Sequence, residues 1–434
     1  MKTLLIRAED KNKWEARAPL VPGDLRELIK QTGVNVFVEK SDKRFFKLDE
    51  YTKAGALTCG DMSQGDIILG IKEIPEEKIL DDKIYLFFSH TIKGQQGNMP
   101  MLKRIMDGGS TLIDYERIID EQKRRLVYFG RYAGDAGAID ILWLMGEYWE
   151  HKGIQTPFKN WKQATGFHSV NDAKEQLKQI GEIIRTEGLP SAVSPLVIGI
   201  LGYGNVSKGA QNIFDCLPVE RIAPEDLVTL MQEGETSPHK VYLTVFREEH
   251  MVRRKDGADF DLQDYYAEPE KYESQLAYYL PCLTILVNAT YWDARYPRFV
   301  TWSDLNDLYT MHSPARLCGI ADITCDVDGS IECNVKTTDT GMPAYRCNPL
   351  SKTVKDGHRG EGVVLLAVDN LPAEIPNDAS TFFSNQLKGF VPALINANFD
   401  VDLSKSGLPG ELQRAVIVYR GELTPDYRYL ENYL

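Results

Sequence analysis

The segment 202–209 has the residue types of a phosphate-binding turn. It reads Gly-Tyr-Gly-Asn-Val-Ser-Lys-Gly, it follows the apolar run 196–201, and it precedes the helical pattern Ala-Gln-Asn-Ile-Phe. Gly202 would permit a tight turn, Gly204 would let the backbone approach a pyrophosphate, and Ser207 is small enough to replace the third glycine of the usual pattern. The start of the helix favours an anion, so the spacing predicts a dinucleotide site, with a turn that binds no ligand as the alternative. The expected contacts are Gly202, Gly204, Asn205, Val206 and Ser207.

The strand expected at 219–222 bears on which dinucleotide binds. An acidic residue about twenty positions after the turn would bind the ribose hydroxyls of NAD. No acid stands plainly at the end of this strand, and Arg221 would suit the additional 2′-phosphate of NADP. We therefore expect NADP (as NADPH), with NAD as the alternative. Glu220 and Glu225 are candidate ribose ligands if the strand register is shifted.

Two titratable side chains end buried apolar runs in the first part of the chain. Lys72 ends the run 66–72, and His90 ends the run 83–90. Ligands of open α/β sheets bind at the carboxyl ends of strands, so both side chains are expected in one crevice. Histidine exchanges protons near neutral pH, and a lysine desolvated beside another cation can do so too. The pair is a candidate for acid–base catalysis, and a solvated lysine with a loop histidine is the alternative.

Two arginines are candidates for binding a substrate carboxylate. Arg17 lies with Glu15 in the segment 14–20, which follows the first expected strand. Arg125 stands just before the apolar stretch 126–129. A guanidinium group can hold a carboxylate through two parallel hydrogen bonds, which lysine cannot do as well. A surface ion pair is the alternative for each arginine.

The elements that must position these residues form an α/β pattern. Short apolar runs alternate with amphipathic stretches, which predicts two doubly wound, parallel-sheet (Rossmann-like) domains with a cleft between them. The long apolar helix expected at 133–151 is a candidate connector, and the charged, tyrosine-rich stretch 247–275 is expected to be a surface insertion. The strands are expected at 3–8, 34–38, 66–72, 83–90, 111–115, 196–201, 219–222, 284–288, 317–322 and 363–368, and further helices at 22–33, 99–107 and 379–389.

Composition excludes several classes of protein. The 434 residues carry a net charge of −13, which is the wrong sign for a protein that neutralises nucleic-acid phosphates. The chain has neither an apolar run long enough to span a membrane nor a signal peptide at its start, so a cytoplasmic location without a membrane partner is expected. The seven cysteines do not occur as Cys-x-x-Cys, and the histidines lack ligand spacing, so neither a disulfide framework nor a metal site is expected.

Several longer motifs occur in a characteristic order. Besides the turn, the chain contains Trp-Glu-Ala-Arg-Ala-Pro at 14–19, Phe-Phe-Ser-His-Thr-Ile-Lys at 87–93, Asp-Ile-Thr-Cys-Asp at 322–326 and Val-Asp-Asn-Leu-Pro at 368–372. This order resembles the superfamily of alanine dehydrogenase and lysine-forming saccharopine dehydrogenase. Within it, the motifs are most similar to the lysine–ketoglutarate reductase domain of animal and plant aminoadipic semialdehyde synthases. The resemblance covers nearly the whole chain, including the stretch 247–275.

The resemblance implies an activity and a set of roles. The activity is the NADPH-dependent condensation of L-lysine with 2-oxoglutarate to saccharopine, in lysine degradation. The implied domains are residues 1–135 with 377–434 for the substrates, and 136–376 for the dinucleotide. The implied catalytic residues are Lys72, His90 and Asp326. The implied substrate-binding residues are Arg17, Arg125 and Glu15, of which Glu15 would also position Lys72. Beyond the turn, Arg221 and Asp322 are expected cofactor contacts, and the resemblance adds Asn370 and Leu371.

Three other functions stay open at this point. An NAD-dependent saccharopine dehydrogenase could work toward lysine synthesis, and an alanine-dehydrogenase-like enzyme would share Arg17, Lys72 and His90. A nucleotide-sensing module without catalysis is the third. Because this chain ends at Leu434, a separate glutamate-forming saccharopine dehydrogenase is expected as the pathway partner, and family habit suggests a homodimer.

Overall fold

The computed structural model describes residues 2–312 and 314–434, which pack into two units. The first unit contains the described chain up to Phe129 and the segment Pro376–Leu434, and the second is Gly130–Ile375. The sequence motifs had placed the changes of domain after residues 135 and 376. Each unit is described by itself below.

The first unit is built on a sheet whose central strands are parallel. The strand order is β6-β5-β4-β1-β2-β3, with β1 between β2 and β4. The chain adds β2 and β3 on one side of β1, and then β4, β5 and β6 on the other. The fully apolar β4 and β5 are buried, as strands covered on both faces must be. The elements are β1 (Leu4–Ile6), α1 (Pro22–Thr32), β2 (Val36–Glu39), α2 (Leu48–Lys53), β3 (Leu57–Cys59), β4 (Ile67–Leu69), β5 (Ile84–Phe87), α3 (Met99–Asp107) and β6 (Thr111–Asp114).

Local sequence signals account for the ends of α1. Pro22 occupies the first turn, where a missing N–H costs nothing, and Gly33 ends the helix in the left-handed region with φ 69°. The helix predicted at 22–33 and the one predicted at 99–107 are both found.

The second unit contains a second sheet of eight strands. Its elements are α4 (Gly130–His151), α5 (Val170–Glu187), β7 (Leu196–Leu201), α6 (Asn205–Phe214), β8 (Val219–Arg221), α7 (Pro224–Glu233), β9 (Val241–Phe246), α8 (Glu248–Met251), β10 (Val252–Arg254), α9 (Leu262–Ala267), β11 (Tyr272–Ser274), β12 (Ile285–Asn288), α10 (Trp302–Met311), β13 (Gly319–Asp322), β14 (Ala344–Asn348), β15 (Thr353–Asp356) and β16 (Val363–Leu366). The strand order is β15-β14-β16-β13-β12-β7-β9-β8.

Three strands of this sheet, β9, β14 and β15, were missed from sequence, and β9 changes the neighbours of β7. The strand β9 lies between β7 and β8, parallel to both, and Leu201 of β7 faces Phe246 of β9. The strand expected beside the glycine turn, β8, is therefore at the edge of the sheet. On this side of β7 the neighbouring strand is β9, and the first residue after its carboxyl end is Arg247. No residue of β8 takes this position.

The predicted parallel sheets are found in both units, and each also carries antiparallel strands. In the second, β14 pairs antiparallel with β16 and with β15. In the first, the C-terminal segment adds an antiparallel strand beside β6. Parallel strands form the centre of each sheet and antiparallel strands extend one edge, an arrangement common in large α/β sheets.

The stretch 247–275 is not merely a surface insertion, as the sequence suggested. It forms α8, the hairpin of β10 and β11, and α9, and it buries Met251, Tyr265 and Tyr272 in an apolar cluster shared with β7, β9 and β12. The hairpin and α9 are joined by Tyr272, whose hydroxyl donates to Asp264 at 2.9 Å. The segment is thus part of the packed core of its unit.

The helices α4 and α6 pack so closely that glycine is required at two positions. A Cβ atom on Gly134 would lie 1.8 Å from the carbonyl oxygen of Val206, and one on Gly209 would lie 2.1 Å from that of Arg131. Both distances are far below van der Waals contact, and the blocking atoms are backbone. The contact holds the start of α6 in place.

The chain returns to the first unit as α11 (Pro376–Leu387), α12 (Val391–Asn396), α13 (Gly410–Ala415), β17 (Val416–Tyr419) and β18 (Glu422–Leu423). Two serines of α11 accept hydrogen bonds from backbone N–H groups of the N-terminal segment: Ser380 from Ala18 and Ser384 from Val21, each at 3.0 Å. Within the described chain, no helix is both long and apolar enough to cross a bilayer. All seven cysteines are free thiols.

Candidate functional site

The first unit gathers the predicted acid–base residues at the carboxyl ends of adjacent strands. The N–H of Phe88 donates to the carbonyl of Ile71 at 3.0 Å, so the segments that leave β4 and β5 run side by side. His90 has a positive φ of 48°, and its Nδ1 lies 2.6 Å from the carboxylate of Glu73, which also pairs with Lys11 at 3.4 Å. Lys72 and His90 therefore stand on neighbouring segments at the carboxyl-terminal edge of the parallel strands β4 and β5.

Glu73 was not recognised from sequence as part of this group. Burial acts to raise the pKa of its carboxyl, but the hydrogen bond and charge of His90, with a contribution from Lys11, outweigh it and hold the pKa at about 2. Glu73 is therefore ionised at neutral pH and fixes the orientation of the His90 ring. Its position next to Lys72 was the only signal in the sequence.

A second unrecognised carboxylate holds the backbone at Lys72. Glu9 is buried, and its two oxygens accept from the N–H groups of Ile71 and Lys72 at 2.7 and 3.0 Å. It also pairs with the buried Arg7 at 3.3 Å. Burial raises the pKa of Glu9 against the lowering effect of Arg7. Glu9 thus sets the direction in which the chain leaves β4.

The two arginines predicted to bind substrate lie in different surroundings. Arg17 is buried and binds both carboxylate oxygens of Glu15, at 2.8 and 2.6 Å, while its guanidinium lies 4.2 Å from the ring centre of Phe129. Arg125 is half exposed and pairs with Glu116. Glu15 thus orients Arg17, and Arg125 has an accessible guanidinium.

In the second unit, the glycine turn has the geometry that its sequence predicted. Gly202 follows β7 with φ 88°, and an added Cβ would lie 3.1 Å from the carbonyl of Ala289. Gly204 caps α6, and a Cβ built there would meet no atom within 4 Å. Ser207 is fully buried against the neighbouring elements. The backbone at Gly204 therefore borders open space at the start of α6, which fits the approach of a pyrophosphate.

A basic cavity of about 600 Å³ opens beside this turn. Lys208 of α6, Arg221 of β8 and Arg247 after β9 all line it. Arg221 donates to Gln211 at 2.8 Å and to Asp215 at 2.6 Å, so its position is defined. The alternative ribose ligands are engaged elsewhere, because Glu220 pairs with Lys240 and Glu225 with His250. The cavity combines three cations where the ribose end of a dinucleotide is expected.

The remaining predicted cofactor contacts lie near the ends of β13 and β16. Asp322 is buried and accepts from Asn288, Thr324 and Asn334 at 2.7–2.9 Å. Burial raises the pKa of Asp322. This network shapes the turn that leads to Asp326. The pair Asn370–Leu371 begins a short helical turn, in which Leu371 is buried.

A buried pair of carboxyl groups was not foreseen from sequence. Asp140 of α4 and Glu374 are both almost completely buried, and Asp140 Oδ1 accepts from the N–H of Ala164 at 2.7 Å. Asp140 Oδ2 and both Glu374 oxygens have no hydrogen-bond donor among the described residues. Burial, reinforced by Glu374, raises the pKa of Asp140 well above its usual value, and burial also raises that of Glu374. Burial therefore makes both carboxyl groups harder to ionise than exposed ones.

This pair predicts a pH-dependent stability. A carboxyl group whose pKa is raised by folding stabilises the protein fully below its unfolded pKa, and loses that contribution as the pH rises through the folded value. The substitution Asp140→Asn keeps the bond to Ala164 and lets an amide donate to Glu374. We expect the free energy of unfolding of this variant to exceed that of the wild type by about 1–3 kcal/mol at high pH.

The measurement is urea unfolding from pH 5 to 9. The advantage of Asp140→Asn should grow with pH, whereas Glu150→Gln, an exposed change on the same helix, should leave the profile unchanged. Parallel profiles for wild type and Asp140→Asn would show that the pair holds no proton.

Among the described residues, no group of three or more His, Cys, Asp or Glu side chains is placed to hold a metal ion.

The fold matches solved structures over the whole chain. L-alanine dehydrogenase superposes with a TM-score of 0.63 at 18% identity, covering 100% of both chains. A transhydrogenase from Sinorhizobium meliloti gives 0.56 at 14% identity, covering 98% of this chain and 100% of that one. The chain thus has the two-domain α/β fold of alanine dehydrogenase.

Sequence comparison identifies relatives that are more similar to this chain than the solved structures are. The model of the alanine dehydrogenase/PNT N-terminal domain matches residues 5–136. An alpha-aminoadipic semialdehyde synthase of Arabidopsis thaliana is 39% identical over 98% of this chain, and the mitochondrial one of Rattus norvegicus is 34% identical over 99%. The chain is therefore similar in sequence to the alpha-aminoadipic semialdehyde synthases along nearly all of its own length, and residues 5–136 match the alanine dehydrogenase/PNT N-terminal domain.

The length of the match differs between relatives. The chain spans 41% of the Arabidopsis synthase and 47% of the rat one. A Candida glabrata protein named saccharopine dehydrogenase (NAD(+), L-lysine-forming) is 28% identical, over 89% of this chain and 90% of its own length.

Proposed function

We propose that this protein is an oxidoreductase that joins L-lysine and 2-oxoglutarate to saccharopine with a nicotinamide dinucleotide. The observation that carries the proposal is the placement of Lys72 and His90 on hydrogen-bonded segments at one sheet edge, in a chain homologous to the synthases along 98% of its length. The cationic Arg17 and Arg125 of the same unit suit substrates that carry carboxylates.

The residues of the first unit supply proton transfer. The ε-amine of lysine attacks the keto carbon of 2-oxoglutarate as a free base, so a proton must be removed, and the resulting carbinolamine loses water only if its hydroxyl is protonated. Lys72 and His90 move these protons, and Glu73 keeps the His90 ring in one orientation. A reduced nicotinamide, when bound, would supply the hydride needed to reduce the imine to the secondary amine of saccharopine.

The test is an assay of reduced-nicotinamide absorbance with purified protein. We expect oxidation that requires both L-lysine and 2-oxoglutarate and stops when either is omitted. Oxidation with pyruvate and ammonia instead would assign the chain to alanine dehydrogenase chemistry and overturn the proposal.

The preferred dinucleotide is NADPH, used in lysine degradation. The basic cavity supports this preference because Lys208, Arg221 and Arg247 together offer charge-assisted hydrogen bonds to a 2′-phosphate, a group that NADH lacks. The acid typical of NAD sites is replaced by Arg247 at the end of the strand next to β7.

Removing a cation from this cavity should therefore reduce selectivity. For Arg221→Ala and for Lys208→Ala we expect KM for NADPH to rise about tenfold to a hundredfold, because each variant loses a charge-assisted hydrogen bond. KM for NADH should stay near its original value. The matched control is Lys240→Ala, which removes a cation that pairs with Glu220. Equal changes for both dinucleotides would contradict a 2′-phosphate site.

A further inference from the structure

A second cavity, lined by aromatic side chains, adjoins the glycine turn. Its volume is about 390 Å³, within the range of sites for small molecules. One side is formed by Gly202, Tyr203 and Gly204, and another by Ala289 and Thr290 after β12. The segment 247–275 closes it with Glu248, Met251, Tyr265 and Tyr266. The cavity therefore lies at the carboxyl ends of β7, β9 and β12, where an open α/β sheet binds its ligand.

The rings that face this cavity are unusually exposed. Tyr203 and Tyr266 are each 43% accessible and Tyr291 is 78% accessible, although large aromatic side chains are normally buried. Behind them, Tyr265 and Phe299 are buried in the core, and the Tyr266 hydroxyl donates to Glu248 at 2.8 Å. The Tyr266 ring is thus held by its hydrogen bond and by the buried Tyr265 ring, whose centre lies 5.8 Å away.

We propose that the segment 247–275 builds the adenine subsite of the dinucleotide site, with the base stacked among Tyr203, Tyr266 and Tyr291. The inference rests on the proposed function for the presence of a dinucleotide. It assigns a ligand to a segment whose role is otherwise unexplained.

The two cavities share a wall, and this determines which end of the dinucleotide each receives. Tyr203 lines both, and the guanidinium of Arg247 lies 5.1 Å from its ring centre. In NADP the 2′-phosphate is carried by the ribose that bears adenine. A base beside the phosphate cavity is therefore adenine, and nicotinamide lies at the far end of the molecule. Arg247 can contribute to both cavities, because a guanidinium group can bind phosphate and can also stack on an aromatic ring.

The test uses adenosine 2′,5′-bisphosphate, which contains adenine and the 2′-phosphate but no nicotinamide. Its affinity is measured by titration calorimetry for wild type, Tyr266→Ala and Tyr291→Ala. We expect each substitution to weaken binding about tenfold, the scale of base–aromatic stacking. Tyr266→Phe, which keeps the ring and loses only the bond to Glu248, should bind nearly as well as wild type. The matched control is Tyr278→Ala, since Tyr278 is exposed in the same region but does not line the cavity.

The affinities for NADPH and NADH distinguish the adenine subsite from the 2′-phosphate site. Loss of stacking should weaken NADPH and NADH by the same factor, because both contain adenine, whereas loss of Arg221 should weaken NADPH alone. Unchanged affinity in both alanine variants would overturn the adenine subsite while leaving the proposed activity intact. The opposite outcome is also distinguishable. If the alanine variants bind adenosine 2′,5′-bisphosphate more weakly, but the wild-type protein does not oxidise NADPH with lysine and 2-oxoglutarate, the adenine subsite is supported and the proposed activity is overturned.

Discussion

Replacing Lys72 by methionine should reduce the rate of saccharopine formation by about a hundredfold to ten-thousandfold, the contribution typical of a positioned acid or base. Methionine has a similar length but cannot carry a proton. The backbone at residue 72 should stay in place, since Glu9 holds it through its N–H group rather than its side chain. The dinucleotide turn belongs to the other unit, so the dissociation constant of NADPH should not change.

The check combines single-turnover rates with NADPH titration. Lys78→Met is the matched control, because Lys78 follows the same strand but is half exposed and pairs with Asp10. It should retain wild-type turnover. Full activity in Lys72→Met would remove Lys72 from the mechanism, and loss of NADPH binding would point to a folding defect.

Adding one methyl group at Gly134 should be the most destabilising small substitution in the second unit. Its Cβ would meet the Val206 carbonyl at 1.8 Å, and neither α4 nor α6 can yield without moving its backbone. We expect Gly134→Ala to lower stability by on the order of 3 kcal/mol or more. For a unit of this size, that corresponds to a fall of roughly 6–12 °C in Tm. NADPH affinity should fall as well, because the same contact fixes the start of α6.

Calorimetric melting provides the measurement, and Gly23→Ala provides a control of opposite sign. Gly23 lies in the first turn of α1, and a Cβ there would meet no atom within 4 Å. Alanine in a helix is favoured over glycine by roughly 0.5–1 kcal/mol, so this variant should be slightly stabilised. A wild-type Tm for Gly134→Ala would mean that α4 and α6 are further apart than the structure has them.

Sequence alone predicted the features that depend on local chemistry. The α/β class followed from alternating apolar and amphipathic stretches, and the end of α1 at Gly33 followed from the need for a positive φ. The turn at 202–204 was recognised because glycine types, strand and helix are contiguous in the chain. Lys72 and His90 could be placed at a sheet edge because each directly follows a buried apolar run.

Only the tertiary structure decided which distant segments meet. The position of β9 between β7 and β8, which makes Arg247 the residue beside the turn, depends on strand pairing that no local pattern encodes. Glu9 and Glu73 read as ordinary charged residues until their hydrogen bonds to Lys72 and His90 are known. The tyrosines of 247–275 looked like part of a surface insertion, but packing buries Tyr265 and Tyr272 and turns the ring of Tyr266 toward the glycine turn. Neighbouring residues determine local conformation, whereas the composition of a site depends on contacts across tens or hundreds of residues.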